Sequence, residues 1–170
     1  FKDDFTYESD FLKPNTLENF FKQIENRLDP VVEDIVFSIK ELEKWEWSLF
    51  EIKKKVEKCL VDFLIYYYRS WASLTELWFS TKENKNLKIF ELLQKILNNG
   101  YLKSLAKTIK HWYDFCLIKN NEDFLISDNF ISTWSINCKF YLLNFSNRFI
   151  WLKDTLILIP LSSKYYIAYF

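Results

Sequence analysis

The chain has 170 residues, of which 49% are hydrophobic and 20% aromatic, enough apolar side chain to close one core and to exclude a disordered chain. One glycine and three prolines leave little material for tight irregular turns, so long helices joined by polar connections are expected. The net charge of zero removes any global field toward nucleic acid or an acidic membrane, yet residues 1–48 carry −6 and residues 49–170 carry +6, which reads either as two solvated faces or as a basic groove for a polyanion.

Residues 1–14 show no sustained periodicity. Asn15 with Glu18 three residues on forms a capping-box pattern, and Leu17, Phe20, Phe21, Ile24 and Leu28 then follow helical spacing. Asp29-Pro30 is expected to end that helix and to cap the next, whose stripe is Val31, Val32, Ile35, Val36, Ile39 and Leu42. Glu25 falls on the border of the buried face, where it is either an ordinary boundary carboxylate or part of a site. Ser48 and Glu51 open the longest helix. Ile52, Val56, Leu60, Phe63 and Tyr67 line one of its faces, and residues 60–68 are apolar almost all round, the mark of a central helix.

Asp62, Tyr66 and Arg69 stand at i, i+4 and i+7 of that helix, a narrow polar stripe whose charges need partners. Arg69 is read either as a structural bridge to Asp62 or to a helix carboxyl end, or as a functional group. A second helical piece is expected over residues 71–79. Further helices follow, with the stripes Leu87, Phe90, Leu93, Leu97 and Leu102, Leu105, Ile109, Trp112, Cys116; His111 lies off the last stripe, on the surface. Strand is expected only beyond residue 122, at residues 124–126, 139–144, 148–152, 155–159 and 165–170, with Ser146-Asn147 as a hairpin turn. The fold class expected is α+β: a helical N-terminal two-thirds packed on a small, mainly antiparallel C-terminal sheet.

Cys59, Cys116 and Cys138 are widely spaced among apolar residues and are expected to be buried reduced thiols, as in a cytoplasmic protein. A single His and no paired metal-ligand spacing argue against a zinc site, and no Gly-rich phosphate loop is present, so no metal and no cofactor are expected. The most apolar run, residues 59–68, is interrupted by Asp62 and is too short to span a bilayer, so no membrane association is expected.

Two blocks, Phe124-Leu125-Ile126-Ser127-Asp128-Asn129 and Ile159-Pro160-Leu161-Ser162-Ser163-Lys164-Tyr165, each run an apolar strand into a polar turn. Together they resemble the paired signature of a mostly bacterial family, DUF-4238, whose members read Phe-Ile-Thr-Ser-Asp-Asn-Pro and then Pro-Leu-Ser-Pro. Residues 17–36, with Ile24-Glu25, are similar to that family's helix carrying an Ile-Glu pair. Residues 52–70, ending in Arg69-Ser70, resemble its long helix ending in Arg-Thr or Arg-Ser. Phe130 and Ser163 depart from the family's prolines, and its N-terminal His block and C-terminal helix have no counterpart here. With Phe1 first and no Met, a single domain belonging to a longer chain is expected.

The resemblance implies that Glu25, Arg69 and Asp128 form a polar pocket, Glu25 or Asp128 serving as general base, with Ser127 and Asn129 orienting the substrate. Arg69 would hold a phosphate or carboxylate bidentately. Ser-Asp-Asn at a strand end is equally an ordinary turn whose side chains satisfy the backbone. Two functional classes remain open: a nucleic-acid- or nucleotide-directed enzyme or toxin-like defence effector, and a non-catalytic module that binds a protein partner through an aromatic interface.

Overall fold

The computed structural model describes residues 10–42, 49–69, 85–97, 99–122, 131–135 and 155–170. Among these residues four helices, α1 (Thr16–Leu42), α2 (Leu49–Arg69), α3 (Lys85–Leu97) and α4 (Asn99–Trp112), precede four strands, β1 (Phe115–Lys119), β2 (Ser132–Ser135), β3 (Thr155–Pro160) and β4 (Tyr165–Tyr169). The class is α+β, with helices first and a small antiparallel sheet at the C-terminal end.

The first departure from expectation is at Pro30, which sits inside one continuous 27-residue helix rather than between two. Proline removes one helical hydrogen bond and normally kinks or breaks a helix interior. Here the buried residues Leu17, Phe21, Ile24, Leu28, Ile35 and Ile39 keep a heptad-like phase straight through residue 30, so ending the helix would forfeit packing on one side. Pro30 and Asn26, whose carbonyl would have received the missing N–H, are both exposed, and water can satisfy the orphaned group. Asn15 adopts φ 59°, in the left-handed region that asparagine tolerates better than most residues, and the Thr16 hydroxyl donates to the Lys13 carbonyl at 2.7 Å.

Helices α1 and α2 form an antiparallel pair, because partners descend along α2 as they ascend along α1. Glu25 meets Tyr66, Arg27 meets Asp62 at 2.6 Å, and Asp34 meets Lys55 at 2.7 Å. Between them Leu60, Phe63, Leu64 and Tyr68 are fully buried, which makes the 60–68 stretch the centre of the core as its composition predicts. Asp62 accepts from Arg27 of α1, and the side chain of Arg69, the partner weighed from sequence, lies outside the described residues. Because the Arg27 side chain is 59% exposed, the pair is a surface one. Asp62→Ala is therefore expected to lower unfolding free energy by less than about 1 kcal/mol in urea titrations, against the several kcal/mol that follow from stranding a buried charge.

Helices α3 and α4 complete the helical layer. On α3 the buried stripe is Ile89, Leu92 and Ile96, while Leu87, Phe90 and Leu97 are about half exposed. The helix carries two adjacent apolar stripes, and the one nominated from sequence is the outer one. On α4, Leu102, Leu105 and Ile109 are buried as expected; His111 is exposed as expected, but Trp112 is 76% exposed. There the helix stops. The segment 115–119, into which the expected helix ran through Cys116, forms β1 instead, because Phe115 and Ile118 are β-formers and β4 offers it a ladder running from Phe115↔Tyr169 to Lys119↔Tyr165.

The strand order is β1-β4-β3-β2. Ile157, Ile159, Ile167 and Tyr169 share one buried face, set by the register Ile157↔Tyr169 and Ile159↔Ile167, and Phe115 and Leu117 pack against the same core. β3 and β4 fall where alternation and Pro160 place them. β2, pairing Ser132↔Leu158 to Ser135↔Thr155, was not among the expected strands. The expected strands at residues 124–126, 139–144 and 148–152, the turn at Ser146-Asn147 and the helix over residues 71–79 lie outside the described residues.

Candidate functional site

The continuity of α1 through Pro30 has a chemical result. Lys22, Glu25, Asn26, Asp29 and Glu33 recur at helical spacing on one face, and with Leu28 and Val32 they form one wall of a cleft of about 490 Å³. Tyr66 of α2 and Leu161, from the turn between β3 and β4, supply the opposite side. A volume of this size suits a small molecule. The lining holds three carboxylates against one ammonium group, with a buried apolar base of Leu28 and Leu161.

Across the cleft, the Tyr66 hydroxyl donates to Glu25 Oε1 at 3.2 Å, toward the long end for a hydroxyl donor. Burial pushes the Tyr66 phenol above its ordinary value of 10.0, and the negative charge of Asp29 adds to the effect. Both causes disfavour the phenolate, so the hydroxyl keeps its proton, and its role as donor, across the physiological range.

Of the residues nominated from sequence, the cleft contains Glu25. Ser127, Asp128 and Asn129 lie outside the described residues, and so does the side chain of Arg69, whose backbone closes α2 one turn beyond Tyr66. Leu161 connects the cleft with the Pro160-Leu161-Ser162 block. There the Ser162 hydroxyl accepts from the backbone N–H groups of Lys164 and Tyr165 at 3.3 and 3.2 Å, so this serine is occupied in shaping the turn. Sequence reasoning missed Lys22, Asn26, Asp29 and Glu33, and placed Tyr66 on a polar stripe without a role in the site. The spacing Glu25, Asp29, Glu33 at i, i+4 and i+8 was a readable signal, hidden by taking Asp29 as a helix terminator.

Cys59 does not supply a nucleophile. Cys59 is a buried free thiol and Cys116 a half-buried one, where full burial was expected of both; Cys138 lies outside the described residues. Burial pushes the Cys59 thiol up from 9.0 to about 12. A thiol that ionises more readily unfolded than folded stabilises the fold below the unfolded value and loses that contribution as pH rises toward the folded one. Unfolding free energy is thus expected to fall between about pH 9 and pH 12, with a shallower fall in Cys59→Ala, as read from urea titrations across that range. Among the described residues no group of His, Cys, Asp and Glu is arranged to hold a metal ion, and no described helix is long and apolar enough to cross a membrane.

A second concavity, about 690 Å³ and almost wholly apolar, lies between Phe11 and Leu12 on one side and Phe90, Leu93 and Leu97 of α3 on the other. Asp10 and Asn86 clasp its end, the Asn86 amide donating to Asp10 Oδ2 at 2.7 Å and the Asp10 N–H donating to Asn86 Oδ1 at 3.2 Å.

No family model, curated protein or solved structure matches the chain, so the likeness to DUF-4238 rests on the quoted blocks and what the cleft does must follow from its own chemistry.

Proposed function

We propose that the cleft between α1, α2 and the β3–β4 turn is the working site of a nucleotide-directed enzyme, a bacterial cytoplasmic effector acting on a nucleotide or a nucleic-acid end. The observation that carries this reading is the position of Glu25: half-buried, held by Tyr66, and facing a small-molecule-sized cleft that the Pro160-Leu161 turn helps to close. A carboxylate in that setting accepts hydrogen bonds from sugar hydroxyls or base amino groups and can serve as a general base toward a hydroxyl or water. The acidic α1 wall disfavours phosphate, so a nucleotide would place its sugar or base there. Its phosphate would then lie toward the end of α2, where Arg69 is suited to bind it. Asp128, with Ser127 and Asn129, would complete the pocket as a second carboxylate and two orienting groups.

The test is calorimetric titration of the intact protein with nucleoside mono-, di- and triphosphates. Micromolar binding by one of them, weakened at least about tenfold in Glu25→Gln, roughly 1.4 kcal/mol, is the expected result. Failure of every nucleotide to bind at millimolar concentration would remove this reading. The half-exposed Phe11, Phe90 and Leu97 around the apolar concavity favour the second reading, a module that binds a protein partner.

A further inference from the structure

We infer that the exposed face of α4 is a binding strip for single-stranded nucleic acid, in which Lys103, Lys107 and Lys110 contact successive phosphates and Trp112 stacks on an unpaired base. No residue of α4 lines the cleft, so this surface is separate from the site proposed above and goes beyond it.

Charge is the first observation. Between Glu91 and Asp114 the chain has no acidic residue. Lys103, Lys107 and Lys110 recur at i, i+4 and i+7, all exposed, on one side of the helix and about 5 Å apart along its axis. On α2, by contrast, Lys55 is held by Asp34 at 2.7 Å and Lys53 by Glu57 at 3.8 Å. Among the described residues the three lysines of α4 have no such partner. Lys110 suits the negative end of the helix dipole, but Lys103, close to the positive end, does not, and the first turn of α4 carries no carboxylate to compensate. Like charges one turn apart also weaken the helix that bears them. A polyanion lying along the strip cancels that repulsion, and because the net charge of the chain is zero the attraction is local to this face.

Trp112 selects among polyanions. It is 76% exposed, the most exposed of the described large hydrophobic side chains, and His111 meets it in a T-shaped contact with ring centroids 5.1 Å apart. An open indole beside a row of cations suits a single strand, whose phosphates the lysines neutralise and whose unpaired base stacks on the ring. A duplex keeps its bases stacked on one another, away from the ring. An anionic lipid surface would call for an apolar helix face to insert, and that of α4 is taken up by the core, with Leu102, Leu105 and Ile109 buried.

The test is fluorescence anisotropy of a labelled oligothymidylate titrated with the intact protein over a series of salt concentrations. The expected result is micromolar binding at low salt. Its logarithmic salt dependence should lose a slope of about 2 in the triple variant Lys103→Gln, Lys107→Gln, Lys110→Gln, at about 0.7 for each phosphate contact removed. Glutamine is a good helix former and the three positions are exposed, so the variant is expected to melt with the parent; if it does not, Lys107→Gln alone should lose about 0.7. Trp112→Ala is expected to bind about tenfold more weakly with the slope unchanged.

No binding by the parent at low salt, or an unchanged slope in the lysine variants, would overturn the inference. Undiminished binding by Trp112→Ala, or equal competition by duplex DNA, polyglutamate or phosphatidylserine vesicles, would overturn the assignment to a single strand. Nucleotide titration of the cleft reads different residues, so either reading can fail without the other.

Discussion

Phe63→Ala is expected to remove about 3–5 kcal/mol of stability, the range for truncating a large core aromatic. Phe63 is fully buried on α2, flanked by the equally buried Leu60, Leu64 and Tyr67, and α2 is the helix to which α1, α3 and α4 all pack. The cavity left by the ring cannot collapse from one side without disturbing the others, so the loss includes both the transfer and the cavity contributions. A urea titration giving less than about 1 kcal/mol would place this residue near the surface, since changes of that size are typical of exposed positions.

Ile167→Pro is expected to be at least as damaging, and by a different route. Ile167 lies in β4, which is bonded on both sides, its Cα opposite Leu117 in β1 and Ile159 in β3. Proline in an interior strand deletes a ladder donor, and the substitution also removes a fully buried isoleucine side chain. Loss of a core isoleucine alone is about 2–5 kcal/mol when truncated to alanine, so the variant should be largely unfolded or lack the sheet by circular dichroism at 25 °C. A parent-like melting midpoint would show that β4 is not an interior strand. Pro160 is tolerated because it occupies the last position of β3.

The sequence made the centre of the fold legible where one physical signal dominated. The stripe Ile52, Val56, Leu60, Phe63 and Tyr67 is buried throughout, because the first turns of the helix have one apolar face and residues 60–68 are apolar almost all round, so every orientation that buries the helix buries this stripe. Helix α3 was misjudged because its two apolar stripes are adjacent, and periodicity says only that a helix is amphipathic, not which stripe its neighbours will cover. The end of α4 was missed because Trp112 and Cys116 continue the spacing of Ile109, whereas what stops the helix is a strand partner more than fifty residues away. Local pattern holds no record of such a partner.

The candidate site was legible in the same uneven way. Glu25 could be singled out as a carboxylate on the edge of a buried stripe. Tyr66 was visible on a polar stripe but had no role until α1 was seen to run antiparallel beside it. Pro30 misdirected the reading: a proline is a local signal of helix ending, and it was overruled by packing that extends for several turns on either side. Had the phase of Leu28, Ile35 and Ile39 been weighed above the proline, Asp29 and Glu33 would have been placed on the same face as Glu25.

The strand order β1-β4-β3-β2 imposes a sequence of assembly. The α1–α2 pair and the β3–β4 turn join segments that are near one another along the chain, so little loop entropy is lost in forming them. β1 has the opposite situation: Phe115 finds its partner in Tyr169, and nothing nearer in the chain can substitute for it within the described sheet. During synthesis on the ribosome, where earlier segments fold first, residues 115–119 emerge with four apolar side chains in succession and no ladder to join. They must stay in that condition until residues 165–169 have followed. Non-local pairing of this kind is slow to form, which makes β1 the segment of the nascent chain most in need of protection from other chains.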